Sequence, residues 1–231
     1  MTRRLQQGLS LVEMMVGITV GLIVVAGAST VAVNQIAEHK RVVLETQTQQ
    51  ELRAAGEIMV RELRKAGSWG SPELGLWSER TMAPRVNPYA AVTVSDGGKR
   101  IEFAYSKTLG LAAAYGADSA VSPADDERRG FRLNGEQLEF KLGAGGYQPL
   151  TDPASLVITR FEAKLNTTSS PLTSRCFKPC DPANSDCPPT LTVREVQVVV
   201  EAHARHDSKV QRKLDFTTRL GADLLSGSCQ A

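Results

Sequence analysis

Five side chains in this sequence stand out for the chemistry they could do. Four are cysteines, and all fall late: Cys176, Cys180, Cys187 and Cys229. Thiolates bind structural zinc, and the run Cys176-x3-Cys180-x6-Cys187 gathers three of them on one loop. Structural zinc sites usually carry two paired C-x2-4-C units, however, and here the second is missing. In an exported chain an even cysteine count favours disulfides, so these four are read as disulfide candidates. Three pairings are open, and each of them ties Cys229 back to the 176–187 loop. Closing such a loop typically contributes about 2–4 kcal/mol. The fifth residue is Glu13, alone in an apolar stretch. A carboxylate at the centre of a membrane helix costs about 2.5–3.5 kcal/mol, which makes it a functional suspect. Local physics offers a second role: Ser10-Leu11-Val12-Glu13 fits a capping box, with the acid in the first turn where the helix dipole favours it.

The other reactive residue types assemble into no site. His39, His203 and His206 are the only histidines, and the last two fall at a strand end. Asp118, Asp125, Asp126, Asp181 and Asp186 lack the spacing of a calcium loop. No nucleophile elbow, phosphate loop, zinc-protease helix or dinucleotide fingerprint occurs. The sequence therefore points away from an enzyme, with no catalytic, cofactor or metal residue assigned.

The elements that carry these residues are legible from charge and hydropathy. The chain has 231 residues, 27 Lys+Arg against 25 Asp+Glu, and a formal net charge of +2. Residues 1–8 hold Arg3 and Arg4 and no acid, so the remainder is formally neutral at 25 against 25. That balance argues against a dedicated nucleic-acid binder, which needs a strongly basic face. Residues 14–37 contain no charge, and residues 9–33 are long enough to cross a bilayer, which takes roughly 20 apolar residues. Ala26, Gly27, Ala28 and Ser29 imitate a signal-peptide cleavage site, but the apolar run continues past them. Arg3 and Arg4 precede the span while Glu38, His39, Lys40 and Arg41 follow it. The positive-inside rule places the N-terminus in the cytoplasm and the bulk of the chain outside.

The run Gln7-Gly8-Leu9-Ser10-Leu11-Val12-Glu13-Met14-Met15 resembles the type IV prepilin leader (class III signal). There a short basic leader ends in Gly, cleavage follows it, the fifth mature residue is Glu and an apolar helix follows. Leu9 stands where the family most often has Phe. The resemblance implies prepilin peptidase cleavage between Gly8 and Leu9 and N-methylation of Leu9. It also supplies a partner for Glu13, the N-terminal amine of a neighbouring subunit. Low dielectric strengthens that attraction and makes an unpaired carboxylate costly. Gly17 and Gly21 form a GxxxG pair that would admit a second helix. Gly27-Ala28-Ser29-Thr30 is the expected soft point of the span.

Residues 38–66 contain no proline and continue the helix. Leu52, Ala55, Met59, Leu63 and Ala66 form one apolar stripe at three- and four-residue steps. Glu51, Arg53, Glu57, Arg61, Arg64 and Lys65 lie opposite, with Glu57 and Arg61 a favourable i,i+4 pair. Gly67 is the expected C-cap. Residues 9–66 would make a helix of about 87 Å at about 1.5 Å per residue. Its first half needs lipid or other helices, and its second half needs a globular head. The ending Arg64-Lys65-Ala66-Gly67-Ser68-Trp69-Gly70 resembles the R-x-A-G-aromatic-W-G ending of PilW-type minor pilins, with Ser68 in the aromatic place.

Beyond Gly70 the pattern changes to strands. Residues 91–94 and 100–105 read as a hairpin, and 131–133 with 137–142 as a stronger one around an Asn134-Gly135 type I′ turn. Val157, Thr159, Phe161, Ala163 and Leu165 alternate as one buried face. Residues 192–204 and 210–218 give two more strands, while 110–130 read as a surface loop. The expected architecture is α+β, type IV pilin-like: a long N-terminal membrane-spanning helix packed on a largely antiparallel sheet. Its expected parts are a leader (1–8), a membrane or filament-core helix (9–37), the amphipathic half of that helix (38–67) and a β-rich head (68–231).

The resemblance implies a minor pilin that primes or tips a type IV pilus. Such a protein is stored in the inner membrane with its head in the periplasm before it reaches the pilus on the cell surface. Implied partners are other minor pilins, the major pilin, prepilin peptidase, the inner-membrane assembly platform and a tip adhesin. A type II secretion pseudopilin shares the leader and helix. A DNA-uptake pilin needs clustered cations and ranks below both.

Overall fold

The computed structural model describes residues 10–75, 86–107 and 122–229. The chain divides into two compact units, Met1–Thr46 and Gln47–Ala231. Helix α1, Leu11–Leu63, runs through the first and enters the second. Within the first unit every described side chain up to Val43 is exposed. The stretch is apolar enough to span a membrane, with a best-window mean hydropathy of 2.2. The expected soft point does not break it. The Ser29 hydroxyl donates to the Val25 carbonyl (2.8 Å) and that of Thr30 to Gly27 (2.8 Å), so both polar groups are satisfied on the helix itself.

In the second unit the stripe is buried as its spacing requires: Leu52, Ala55, Met59, Leu63 and Ala66 all join the core. The α-helix stops at Leu63 rather than Ala66, because the last turn tightens. The Lys65 amide donates to Glu62 and that of Ala66 to Leu63, at 3.1 and 3.0 Å. Gly67 then takes the left-handed conformation (φ 79°) that ends helices without a Cβ penalty. Glu57 is paired with Arg53 (3.1 Å) rather than Arg61, which lies 3.7 Å from Glu62. Arg61 itself stays exposed while it faces the buried Glu62 carboxylate.

Two antiparallel sheets replace the expected single one. The first is a meander of β1 (Val92–Ser95), β2 (Arg100–Ala104), β3 (Arg128–Asn134), β4 (Gln137–Leu142) and β5 (Tyr147–Pro149), in that order. The second orders β6 (Leu156–Pro171), β7 (Thr190–Ala204) and β8 (Asp207–Arg219), with β9 (Leu224–Ser226) also on β7. Core residues come from both sheets and from α1: Ile101, Phe131, Leu138, Phe161, Val196 and Val198 among them. Phe131 stacks on Phe140 at 4.8 Å between ring centroids, adding about 0.5–1.5 kcal/mol beyond burial.

Three local readings shift. Asn134 pairs with Gln137, so the β3–β4 turn is Gly135-Glu136, one residue later than the Asn-Gly pair. Gly135 carries the positive φ (60°) and Glu136 does not, as a type II′ turn requires. In β6 a bulge at Thr159 interrupts the register between Ile158 and Arg160. Leu156 and Ile158 therefore face the core before it, Phe161 and Ala163 after it, and Thr159 is exposed. Finally, β3 begins at Arg128, inside the stretch expected to be loop; residues 108–121 of that stretch lie outside those described.

Candidate functional site

The first surface of interest is the N-terminal half of α1. Gly8 and Leu9 lie outside the described residues. Ser10 sits at the N-cap position, its carbonyl accepting the Met14 amide at 3.2 Å. Glu13 stands in the first turn, exposed, next to Met14, Gly17 and Ile18. A Cβ added at Gly17 or Gly21 would meet nothing within 4 Å. This face thus offers a carboxylate, a flat glycine strip and bare aliphatic side chains. In hydrocarbon such a surface can bury itself only against lipid or another helix, and its one charge is stable only beside a cation.

The second is the junction of α1 with the head. The Gly67 amide donates to the Ala104 carbonyl (2.9 Å), and the Ser106 amide to that of Ser68 (2.9 Å), so the chain leaving the helix runs beside β2. On the other side the Gly221 amide donates to the Ala66 carbonyl at 3.1 Å. A Cβ at Gly221 would stand 2.2 Å from the Arg64 carbonyl oxygen, so only glycine permits this approach. Beneath the junction the buried Glu62 accepts from Lys65 Nζ (2.7 Å) and from the Tyr105 hydroxyl (2.8 Å). Arg129 Nε donates to that same hydroxyl at 3.2 Å. This latch was legible only in part: Glu62 is three residues after Met59, on the apolar face, but no spacing reveals its partners.

Four more buried charges, Glu127, Arg129, Glu139 and Arg194, carry no mark in the sequence. Glu127 accepts from the Tyr89 hydroxyl (2.7 Å) and from the amides of Lys107 and Ala124 (3.1 Å each). Arg194 donates to the carbonyls of Ala90 and Ala222, and burial pulls its pKa below the usual guanidinium value. Glu62, Glu127 and Arg194 each fasten neighbouring loop segments to the core.

The cysteines form Cys176–Cys229 (S–S 2.08 Å) and Cys180–Cys187 (2.03 Å). The first ties the residues after β9 to the loop after β6. The sulfurs of Cys176, Cys180 and Cys187 lie within 4.8 Å of one another. Three of the acids named above are engaged with neighbours. Asp126 pairs with Lys107 (2.9 Å), Asp125 lies 3.5 Å from Arg128, and Asp181 accepts the Ala183 amide (2.9 Å). Asp118 lies outside the described residues. His203 Nδ1 lies 3.0 Å from the Ala204 carbonyl, which holds the ring against its own strand.

Two family models match this chain. Residues 3–29 match the prokaryotic N-terminal methylation motif. Residues 41–220 match the family described as prepilin peptidase-dependent protein B. No curated protein and no solved structure gives a significant match.

Proposed function

This chain belongs to the prepilin peptidase-dependent protein B family, and on that premise we propose that it is a minor pilin of the PilW type. It is a pilin-like protein with a prepilin leader motif and an N-terminal apolar helix that anchors it in the membrane. In the proposed sequence of events residues 1–8 are removed by prepilin peptidase between Gly8 and Leu9, and Leu9 is methylated. The mature chain waits in the inner membrane, N-terminus in the cytoplasm and head in the periplasm. It then joins other minor pilins and the major pilin at the assembly platform, priming the fibre or standing at its tip with an adhesin.

The observation that carries this reading is the exposed apolar half of α1 with Glu13 in its first turn, following a leader that matches the methylation motif. Glu13 has a defined task in it. Its carboxylate pairs with the α-amine of the adjacent subunit, which cleavage after Gly8 creates, and the pairing sets the axial register between two helices. In low dielectric a shift of either charge leaves both uncompensated, so register is strongly specified.

The test has two arms. Coexpression of the full chain with a prepilin peptidase lowers its mass by roughly 1 kDa, the eight-residue leader. An unchanged mass, or cleavage near Ala28, overturns the reading. Glu13→Ala leaves cleavage intact but sharply reduces recovery of the chain with partner pilins and the number of pili. Normal piliation in that variant returns Glu13 to a helix cap.

A further inference from the structure

The four cysteines are chemically competent groups that the proposed function does not use. Two crosslinks in one head need not be neighbours, yet these lie side by side. Cys176, Cys180 and Cys187 place their sulfurs within 4.8 Å of one another, and Cys229 is bonded to Cys176. Backbone bonds independent of the crosslinks hold the carriers in place. The Cys176 amide donates to the Thr173 carbonyl (3.3 Å) and that of Cys187 to Asn184 (3.2 Å). Leu172 donates to Pro189 (2.8 Å), closing the base of the loop, and Ser228, beside Cys229, donates to Asp186, beside Cys187 (2.8 Å). β9 is paired to β7 through Thr190, Leu191 and Thr192, which brings the C-terminal segment to the same place. Pro179, Pro182, Pro188 and Pro189 restrict the loop further by limiting its unfolded alternatives.

We propose that, when both disulfides are reduced, Cys176, Cys180, Cys187 and Cys229 form a tetrahedral thiolate site for one Zn²⁺. A zinc–sulfur distance of about 2.3 Å sets ligand sulfurs roughly 3.8 Å apart, so each bonded pair opens by less than about 2 Å. With Cα–Cα separations of 5.3 and 5.5 Å, side-chain rotation supplies that opening. The spacing argument against zinc asked for a second C-x2-4-C pair in the sequence. The fold supplies the remaining ligands instead from Cys187 and Cys229, whose chain neighbours Asp186 and Ser228 are joined by a backbone hydrogen bond (2.8 Å).

The electron and proton accounting is simple. Each disulfide takes two electrons and two protons from a dithiol reductant, which leaves as its own disulfide. Zn²⁺ then displaces the four thiol protons, so uptake releases protons and strengthens as pH rises. A sulfur in a disulfide is no thiolate, and the thiolate is the metal-binding species. Oxidation of the site therefore expels the ion, and the crosslinked and metal-bound forms exclude each other. The zinc form belongs to a chain that has not yet met an oxidant, where it would keep all four sulfurs together until they pair.

The experiment uses the full chain in detergent micelles. The disulfides are reduced with a phosphine, the phosphine is removed without air, and Co²⁺ is titrated as a spectroscopic stand-in for Zn²⁺. Expected is one ion per chain, with the intense sulfur-to-cobalt absorption of four thiolates, displaced by Zn²⁺. Cys180→Ser should weaken uptake by more than the ~10–100-fold that follows loss of an outer-shell partner elsewhere. The reduced chain in concentrated urea should bind at least ~10-fold more weakly, since unfolded cysteines also take up metal. Three results each overturn the proposal: no uptake by the reduced chain, equal uptake by the oxidised chain, or undiminished affinity in urea.

Discussion

Val24 and Met59 are both apolar and both in α1, yet Val24 is 64% exposed and Met59 is 0% exposed. The same contrast holds along the helix. Ile18, Leu22, Ile23 and Val33 stand bare, whereas Leu52, Ala55 and Leu63 are buried against the sheets. Apolar residues leave water in both halves of such a helix, but by different means. The second half finds its cover within the chain, so its cost is met by folding. The first half finds none there, so its cover comes from lipid or from other helices. Burial by the chain's own fold and exposure of apolar surface thus fall on separate stretches of one helix.

That division can be broken by substitution. Met59→Ala should destabilise the head by about 2–5 kcal/mol, while Val24→Ala should leave it within about 0.5 kcal/mol. Denaturant unfolding of the full chain in detergent, followed by tryptophan fluorescence, reads both. Equal effects would mean that the two halves are not energetically separate. The glycines sharpen the same point at smaller cost. Gly221→Ala forces a methyl group onto the Arg64 carbonyl and should cost about 1–3 kcal/mol. Gly21→Ala meets only open space and should leave head unfolding unchanged, while weakening recovery with partner helices.

The smallest expected effect concerns acid. Burial pushes the Glu139 carboxyl up, but hydrogen bonds from Asn134 and Arg132 outweigh it, leaving the group below the usual carboxylate range. A lowered folded pKa gives stability that is present above the unfolded value of about 4.3 and lost as pH falls through the folded one. The gap between the wild-type chain and Glu139→Gln should be no more than about 1 kcal/mol at pH 7. It should stay constant to about pH 5 and close below about pH 4. A gap that survives to about pH 2 would assign the effect to shape rather than charge.

How much of this was readable beforehand depended on the range of the interaction. The stripe from Leu52 to Ala66 was legible because helical periodicity is local, and so were the β1–β2 and β3–β4 hairpins. The division into two sheets was not, because it depends on which strands pair across the whole head. The bulge at Thr159 was equally hidden: Val157, Thr159 and Phe161 alternate in sequence, and only the pairing with β7 shows where the phase slips. β5 and β9, at three residues each, are too short to carry a pattern. The Glu62, Glu127 and Arg194 contacts are long-range and polar, and a sequence marks such residues only as charged. At the N-terminus the leader and Glu13 were legible because the motif lies in consecutive residues, within the 3–29 stretch that matches the methylation motif.

Tension applied along α1 arrives at Ala66 and Gly67, where it divides. The Gly67 amide passes load to β2 through Ala104, and the Ala66 carbonyl passes it to the segment after β8 through Gly221. Bonds loaded side by side yield together, whereas bonds loaded in series open one after another like a zipper. Forced opening is governed by the rate of that first rupture rather than by equilibrium stability. The segment that begins at Gly221 ends in the Cys176–Cys229 crosslink. Residues 221–229 therefore cannot be drawn out of the head without breaking a covalent bond. A head built this way can be hauled by its helix and arrive folded.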